Sequence, residues 1–290
     1  MSIGEAAKYS PCMPQLSIRD HSRDSAGMTY VYPVVSRRAG GVSVGINLNP
    51  NNACNWRCIY CQVPDLTRGG PPPIDLKRFG DELRDMLNWL YVGDYLDRHV
   101  PPAARRVVDI AFSGNGEPTS APEFPEAVAI VLREVDALGI VEPPRLRLIT
   151  NGSLLDRAPV REGVAAIGAA GGETWFKVDA VGVAAMRRIN GVGYRPEAVL
   201  RRLRRCGALC PTWVQTCAFL LDGQPPATFA DYLKFLGKAA DRLAGVHLYG
   251  LARPSCQPEA TRLAVLPADE LECMAEAIRQ KTGLTTRVSP

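Results

Sequence analysis

The sequence predicts an α/β fold, an open TIM-like barrel of six βα units. Three observations carry that expectation. Short apolar, strand-like runs alternate with amphipathic helical stretches along most of the chain, and such alternation builds a parallel sheet covered by helices. No G-x-G-x-x-G follows the first strand-like run, which sets a dinucleotide-binding sheet aside. The glycine-rich and polar segments fall just after strands, where barrels of βα units gather their active sites.

Taken in order, residues 1–30 show no periodicity and read as an irregular arm. In 30–41, Arg37 and Arg38 beside Gly40 and Gly41 make either an anion-binding corner or a solvated turn. Residues 42–48 alternate as a strand should. Asp75 opens a helix whose Leu76, Phe79, Leu83, Met86, Leu87 and Leu90 form one apolar stripe. A strand follows at 107–112 and a helix at about 122–138, stopped by Gly139. The pattern repeats: strand 145–150, a helix ending at Gly171 and Gly172, strand 174–178, a helical stretch to Asn190, and a helix opened by Pro196. Strand 212–221, helix 227–243 and strand 246–251 complete six units, before a helix from Pro267 to Gly283 and a strand-like tail at 284–288.

At 290 residues the chain suits one domain, with a barrel core at 42–251 and a C-terminal extension at 252–290. The net charge of +4 permits an anionic partner without demanding one. No apolar run approaches the roughly 20 residues of a membrane span. The first 20 residues lack a basic start followed by an apolar stretch, so no secretory signal and a cytoplasmic location are expected. Nine cysteines in such a chain argue against a disulfide framework. Cys217 and Cys273 read as small buried apolar residues. Cys206 and Cys210, flanking a helix end, are candidates for a second metal site, and Cys12 and Cys256 contribute only if the fold joins them.

Cys54, Cys58 and Cys61 are spaced C-x3-C-x2-C directly after the first strand. Structural zinc usually takes four protein ligands in close pairs, and a four-cysteine cubane is saturated. Three close cysteines instead suggest a cluster with one iron open to a ligand. Zinc completed by a distant cysteine remains the alternative.

Later strand ends carry the other candidates. Ser113-Gly114-Asn115-Gly116-Glu117-Pro118 follows the second strand, and its glycines permit close backbone approach. Thr150-Asn151-Gly152 ends the third, where Asn-Gly also suits a plain turn. Lys177 and Asp179 end the fourth, with Asn190 beyond. Lys177 can bind a substrate carboxylate, form a Schiff base, or make a plain salt bridge. Arg253, after the sixth, closes the pocket on an anion or lies along the rim. Arg201, Arg202, Arg204 and Arg205 occupy one arc of a helix and, with Arg187, Arg188 and Arg195, make a basic surface that suits RNA phosphates or is simply solvated.

The cysteine spacing, Tyr60 before the last cysteine, the G-N-G-E-P segment and T-N-G together resemble the radical S-adenosylmethionine (SAM) superfamily. With S-R-R-x-G and N-L-N-P, the region from residue 30 to about 254 looks like small Fe–S oxidoreductases related to wyosine synthases. The resemblance implies a partial (β/α)6 barrel in which Cys54, Cys58 and Cys61 hold a [4Fe–4S] cluster and the open iron chelates SAM. It implies reductive cleavage of SAM to a 5′-deoxyadenosyl radical that abstracts hydrogen from a substrate. Tyr60, Gly114, Asn115, Gly116, Glu117, Asn151, Asp179 and Asn190 are then the cofactor-binding set, with Lys177 and Arg253 toward the substrate. An electron donor such as flavodoxin or ferredoxin is the implied partner, and tRNA a candidate substrate. Wyosine synthases hold a second cluster through cysteines before this motif, where the chain has only Cys12. A peptide or small-molecule substrate is the rival within that reading. A zinc- or cluster-stabilised RNA-binding module without catalysis is the rival outside it.

Overall fold

The computed structural model describes residues 15–17, 26–36 and 40–290. Most of the N-terminal arm, Cys12, Arg37 and Arg38 lie outside them. In chain order the strands are β1 (Val31–Ser36), β2 (Gly41–Ile46), β3 (Ala53–Cys54), β4 (Thr67–Arg68), β5 (Val107–Phe112), β6 (Arg145–Thr150), β7 (Glu173–Lys177), β8 (Thr212–Cys217), β9 (Phe219–Leu221), β10 (Gly245–Tyr249), β11 (Leu263–Val265) and β12 (Thr286–Ser289). The helices are α1 (Leu76–Tyr91), α2 (Tyr95–His99), α3 (Phe124–Ala137), α4 (Ala158–Ala169), α5 (Val183–Asn190), α6 (Pro196–Leu209), α7 (Phe229–Gly237) and α8 (Ala268–Thr282).

Eight strands make one curled sheet in the order β1-β2-β5-β6-β7-β8-β10-β12. Strands β2, β5, β6, β7, β8 and β10 are the six expected ones, all parallel. The tail strand β12 adds to β10, also parallel. On the other edge β1 pairs antiparallel with β2, an addition the sequence reading lacks. Its Pro33 breaks the strand signal, yet proline is tolerated on an edge because it has no N–H to donate. The chain thus folds as a half-barrel.

Two expected elements are shorter than their apolar patterns. The run 212–221 splits at Ala218, whose N–H turns to the Tyr249 carbonyl at 2.8 Å; β9 then leaves the sheet to pair with β11. The helix expected to Leu243 ends at Gly237, a poor helix former, and resumes only as a 3-10 turn.

The convex face carries the apolar core. Phe79, Leu83, Met86 and Leu87 of α1 are fully buried, and the Asp75 carboxylate caps this helix by accepting the Arg78 N–H at 3.0 Å.

The concave face is different, because its floor is polar. Arg147 on β6 donates to Asp109 on β5, and through Nε at 2.8 Å to Glu173 on β7. Ser43 on β2 also donates to Asp109, and Trp175 Nε1 to Glu173 at 2.8 Å. A stack continues the layer: the Arg147 guanidinium lies 4.1 Å from the Trp175 ring, which meets His247 at 4.3 Å, and His247 meets Trp213 at 4.7 Å. Arg287 of β12 closes the row 4.1 Å above Trp213. Cations and rings thus plug the base of the half-barrel, and everything above that plug is open for a site.

Candidate active site

Above the floor lies a cavity of about 810 Å³. A smaller one, about 430 Å³, opens elsewhere between α3, β6 and the turn after α4, and its lining offers only Asp136 and Arg145 as charged groups.

The large cavity is roofed by the loop after β2. Asparagines build this loop. Asn47 Oδ1 accepts the N–H groups of Asn49 and Asn115, both at 3.1 Å. Asn52 Oδ1 accepts Asn115 Nδ2 at 2.6 Å, and Asn55 Oδ1 accepts Asn151 Nδ2 at 2.8 Å. Short amides of this kind satisfy backbone groups where no regular ladder does. They also tie the cysteine loop to both later strand-end segments. The glycine of that contact is needed: a Cβ on Gly116 would lie 2.2 Å from the Ala53 carbonyl oxygen.

Cys54, Cys58 and Cys61 all line this cavity, with Tyr60, Gly114, Asn115, Gly116, Glu117, Asn151, Lys177 and Arg253. Burial pushes the Cys54 and Cys58 thiols up to about 12. Any metal centre here must therefore displace protons to take its thiolates. Among the described residues no three Cys, His, Asp or Glu side chains close around a single ion. The donor set of three soft sulfurs along one wall suits a polynuclear iron–sulfur centre, in which each thiolate meets its own iron.

Glu117 touches the cavity, but its carboxylate is bonded to neighbouring strand-end residues. It is 2% exposed; Oε1 accepts the hydroxyls of Thr119 and Thr150, each at 2.6 Å, and Oε2 accepts the Asn151 N–H at 2.7 Å. Burial raises its pKa, and these hydrogen bonds only partly pull it back. Its work is to fasten one strand end to the next.

Asp179 and Asn190 stand behind the wall. Asp179 takes the Tyr60 hydroxyl, the Cys217 N–H at 3.0 Å and Asn190 Nδ2 at 2.8 Å. Asn190 Nδ2 also reaches Cys58 Sγ at 3.3 Å. Lys177 does face the cavity, with Nζ 3.1 Å from the Tyr249 hydroxyl, 3.9 Å from Asp179 and 5.1 Å from the centre of the Tyr60 ring. Burial alone would lower its pKa, but Asp179 leads the groups that outweigh this and hold the ammonium charged. Arg253 and Gln62 bond reciprocally: Arg253 Nε donates to Gln62 Oε1 at 3.0 Å, and Gln62 Nε2 to the Arg253 carbonyl at 3.1 Å.

Several contributors escape sequence reading. Gln215 on β8 sits opposite Lys177, Tyr32 Oη bonds Ser113 Oγ at 2.9 Å, and Trp56 lines the cavity with a buried, unpartnered Nε1. Only the asparagine run 47–55 left a local trace.

The remaining cysteines and the basic helix resolve differently. Cys206 Sγ accepts the Thr212 hydroxyl at 3.4 Å and Cys210 Sγ donates to the Gly172 carbonyl at 3.7 Å. With no third ligand gathered there among the described residues, a second metal site at this pair is not built. Cys217 is buried as expected, but Cys273 is exposed on the outer side of α8. Arg201, Arg202 and Arg205 converge on the Asp156 carboxylate at 2.8–3.2 Å, and Arg204 bonds Asp241. No described helix is long and apolar enough to cross a membrane.

The chain is 26% identical over 129 residues to "GTPase Obg" of Brachyspira hyodysenteriae, which covers 44% of the chain and 16% of that protein. It is 26% identical over 163 residues to a UPF0026 protein of Helicobacter pylori, covering 54% of the chain and 44% of that protein. The chain thus spans less than half the length of these curated relatives. In fold it resembles a structure of TYW1 with a lysine–pyruvate adduct bound, at a TM-score of 0.54 and 19% identity over 82% of the chain and 73% of that structure. Residues 48–236 match the radical SAM superfamily as a whole. With its cysteine loop, glycine segment and half-barrel in register, the chain is a member of the radical SAM superfamily of enzymes.

Proposed function

We propose that this protein is a radical SAM enzyme in which Cys54, Cys58 and Cys61 hold a [4Fe–4S] cluster and the cavity beneath them takes SAM and a substrate together. The observation that carries this reading is the placement of three thiols on one wall of an 810 Å³ cavity that also receives the glycine segment. When bound, the pair supplies one-electron cleavage of SAM and a 5′-deoxyadenosyl radical that removes hydrogen from the substrate. An external donor such as flavodoxin or ferredoxin delivers the electron.

The chain's own residues do the rest. The carbonyls and amides around Gly114, Asn115 and Gly116 face the cavity as a polar edge for the methionyl group, and Asn151 with its Asn55 partner lies beside them. Tyr60 stands in the wall with its hydroxyl spent on Asp179, leaving a ring face for the adenine. The apolar and aromatic walls exclude water from the reacting carbon.

Lys177 anchors an anionic group of the substrate. Its charge is held by Asp179 and Tyr249, and an ammonium so held is a poor nucleophile, so salt bridging outweighs imine formation here. The convergence of three arginines on Asp156 leaves α6 less free charge for RNA phosphates than its sequence suggests, and the cavity favours a small-molecule or peptide substrate over tRNA.

Anaerobic reconstitution is the test. Iron and sulfide should bind at about four per chain, and dithionite with SAM should release 5′-deoxyadenosine. The triple Cys→Ala variant should bind none and release none. Stoichiometric zinc in anaerobically purified protein, with no SAM cleavage after reconstitution, would sink the reading.

A further inference from the structure

We infer that Asn190 is a positioning residue for the cysteine loop: its amide presents Cys58 and, through an N–H···S hydrogen bond, raises the reduction potential of the cluster that Cys58 helps to hold. The inference rests on the cluster reading above and deepens it.

The geometry begins at the end of α5. Gly191, with φ +69°, stops this helix and leaves its last carbonyls without helical partners. The cysteine loop supplies them. The Arg57 N–H donates to the Asn190 carbonyl at 3.0 Å and the Ile59 N–H to the Ile189 carbonyl at 2.9 Å. These two bonds bracket Cys58 on either side. The Asn190 side chain completes the grip from the same residue, with Nδ2 3.3 Å from Cys58 Sγ.

The orientation of that amide is fixed independently of the sulfur. Asp179 Oδ2 accepts the same Nδ2 at 2.8 Å, and a carboxylate oxygen accepts only from the nitrogen end of the amide. Asp179 is held in turn by the Tyr60 hydroxyl and the Cys217 N–H. Asn190 is fully buried, so water does not compete for the N–H. Cys54 also receives a donor, the Trp56 N–H at 3.4 Å, but that is backbone. At Cys58 the donor is a side chain and can be removed.

Hydrogen bonds to cluster sulfurs are among the terms that set potential. A donor favours the reduced state, which carries more negative charge on sulfur. Removing it makes reduction harder.

The experiment compares reconstituted wild-type protein with Asn190→Leu and Asn190→Ala, each without SAM, by redox titration followed by electron paramagnetic resonance. The leucine variant should show an equilibrium constant for reduction about tenfold lower, a fall of 59 mV for a one-electron couple. The alanine variant, which loses the same donor with a smaller side chain, should fall by a similar amount. An unchanged potential at full iron content overturns the proposal, even if affinity for SAM drops, because that pattern makes Asn190 a SAM contact only. If both variants fold by circular dichroism yet take up no iron, Asn190 is confirmed as what presents Cys58. If both fail to fold, the residue maintains the fold and the proposal is overturned. Wild-type protein that itself takes up no iron defeats the cluster reading, a separate failure visible before any variant is made.

Discussion

Glu117 Oε2 accepts the backbone N–H of Asn151 at 2.7 Å, so the glycine-segment carboxylate is a fastener between two strand ends. Its other oxygen holds Thr119 and Thr150, so both carboxylate oxygens accept bonds from within the protein. With only the sequence in hand, a glutamate in such a segment either adds attraction for a cofactor or fixes the turn. Here it acts one layer back, by fixing the backbone that lines the cavity.

Glu117→Ala should therefore cost stability and cofactor affinity together. Four buried donors lose their acceptor, the Thr119 and Asn151 N–H groups and the Thr119 and Thr150 hydroxyls, and unsatisfied groups of this kind cost about 1–3 kcal/mol each before relaxation. After relaxation we expect a net loss of about 3 kcal/mol in urea unfolding. Affinity for SAM should fall at least about tenfold, or 1.4 kcal/mol, by equilibrium dialysis. Iron loading should persist, since the three cysteines are on another segment. A variant with wild-type unfolding would show that Glu117 carries no structural load.

The floor of the half-barrel has its own pH signature. Burial alone pushes the Glu173 carboxyl up, but Arg147 and the hydrogen bonds of Trp175 and Arg145 outweigh it and hold it below its ordinary 4.5. A carboxylate depressed in the folded state contributes stability above its unfolded pKa and loses it as pH falls through the folded pKa. Glu173→Gln should be less stable than wild type by about 2 kcal/mol at pH 7, since Arg147 keeps Asp109 as a partner and the penalty stays below that of an unpaired buried charge. That gap should close as pH is lowered below 4.5. Urea unfolding of both proteins from neutral to acid pH measures it; a gap independent of pH would remove the ion pair from the account.

The T-N-G turn can be tested through its glycine. Gly152 has φ +68°, and a Cβ there would lie 2.1 Å from the Phe176 ring. Backbone strain and overpacking add, at about 1–2 and 1–3 kcal/mol. Gly152→Ala should cost about 3 kcal/mol by those terms. A double-mutant cycle with Phe176→Leu should recover part of this, because the ring is the obstacle. Strict additivity would mean that the backbone, not the ring, sets the cost.

What the sequence made legible follows sequence distance. The cysteine loop, the glycine segment and T-N-G each lie within a few consecutive residues, so spacing alone displays them. The six parallel strands were equally visible through apolar alternation. The floor network was not, because Arg147 meets Asp109 and Glu173 across 38 and 26 residues. Arg57 meets Glu259 across 202. The arginine arc of α6 looked free because its counter-charge Asp156 precedes α4. The sequence shows Asn190 only as a residue beyond a strand end, and the folded contact puts its amide on a cysteine sulfur.

The longest of those contacts gives the last prediction. The segment after β10 straps the cysteine loop from outside: Ser255 Oγ reaches the Ile59 and Cys61 carbonyls at 2.8 and 3.1 Å, and Gln257 Nε2 donates to the Val63 carbonyl at 3.1 Å. The Cys256 N–H donates to the Cys61 carbonyl at 2.9 Å. Arg57 adds an ion pair with Glu259 at 2.8 Å, but both side chains are partly exposed, and such pairs contribute little. The serine is the better target, because it serves the carbonyl of Cys61 itself and that of Ile59, next to Cys58. Ser255→Ala should lower global stability by only about 1 kcal/mol. Its effect should be local, with amide hydrogen exchange several-fold faster across residues 57–63 and unchanged in β5 and β6. The same variant should surrender iron to a chelator faster than wild type, since a loop that opens more often exposes its thiolates more often. Exchange in 57–63 that matches wild type would show that α5, and not this strap, holds the loop closed.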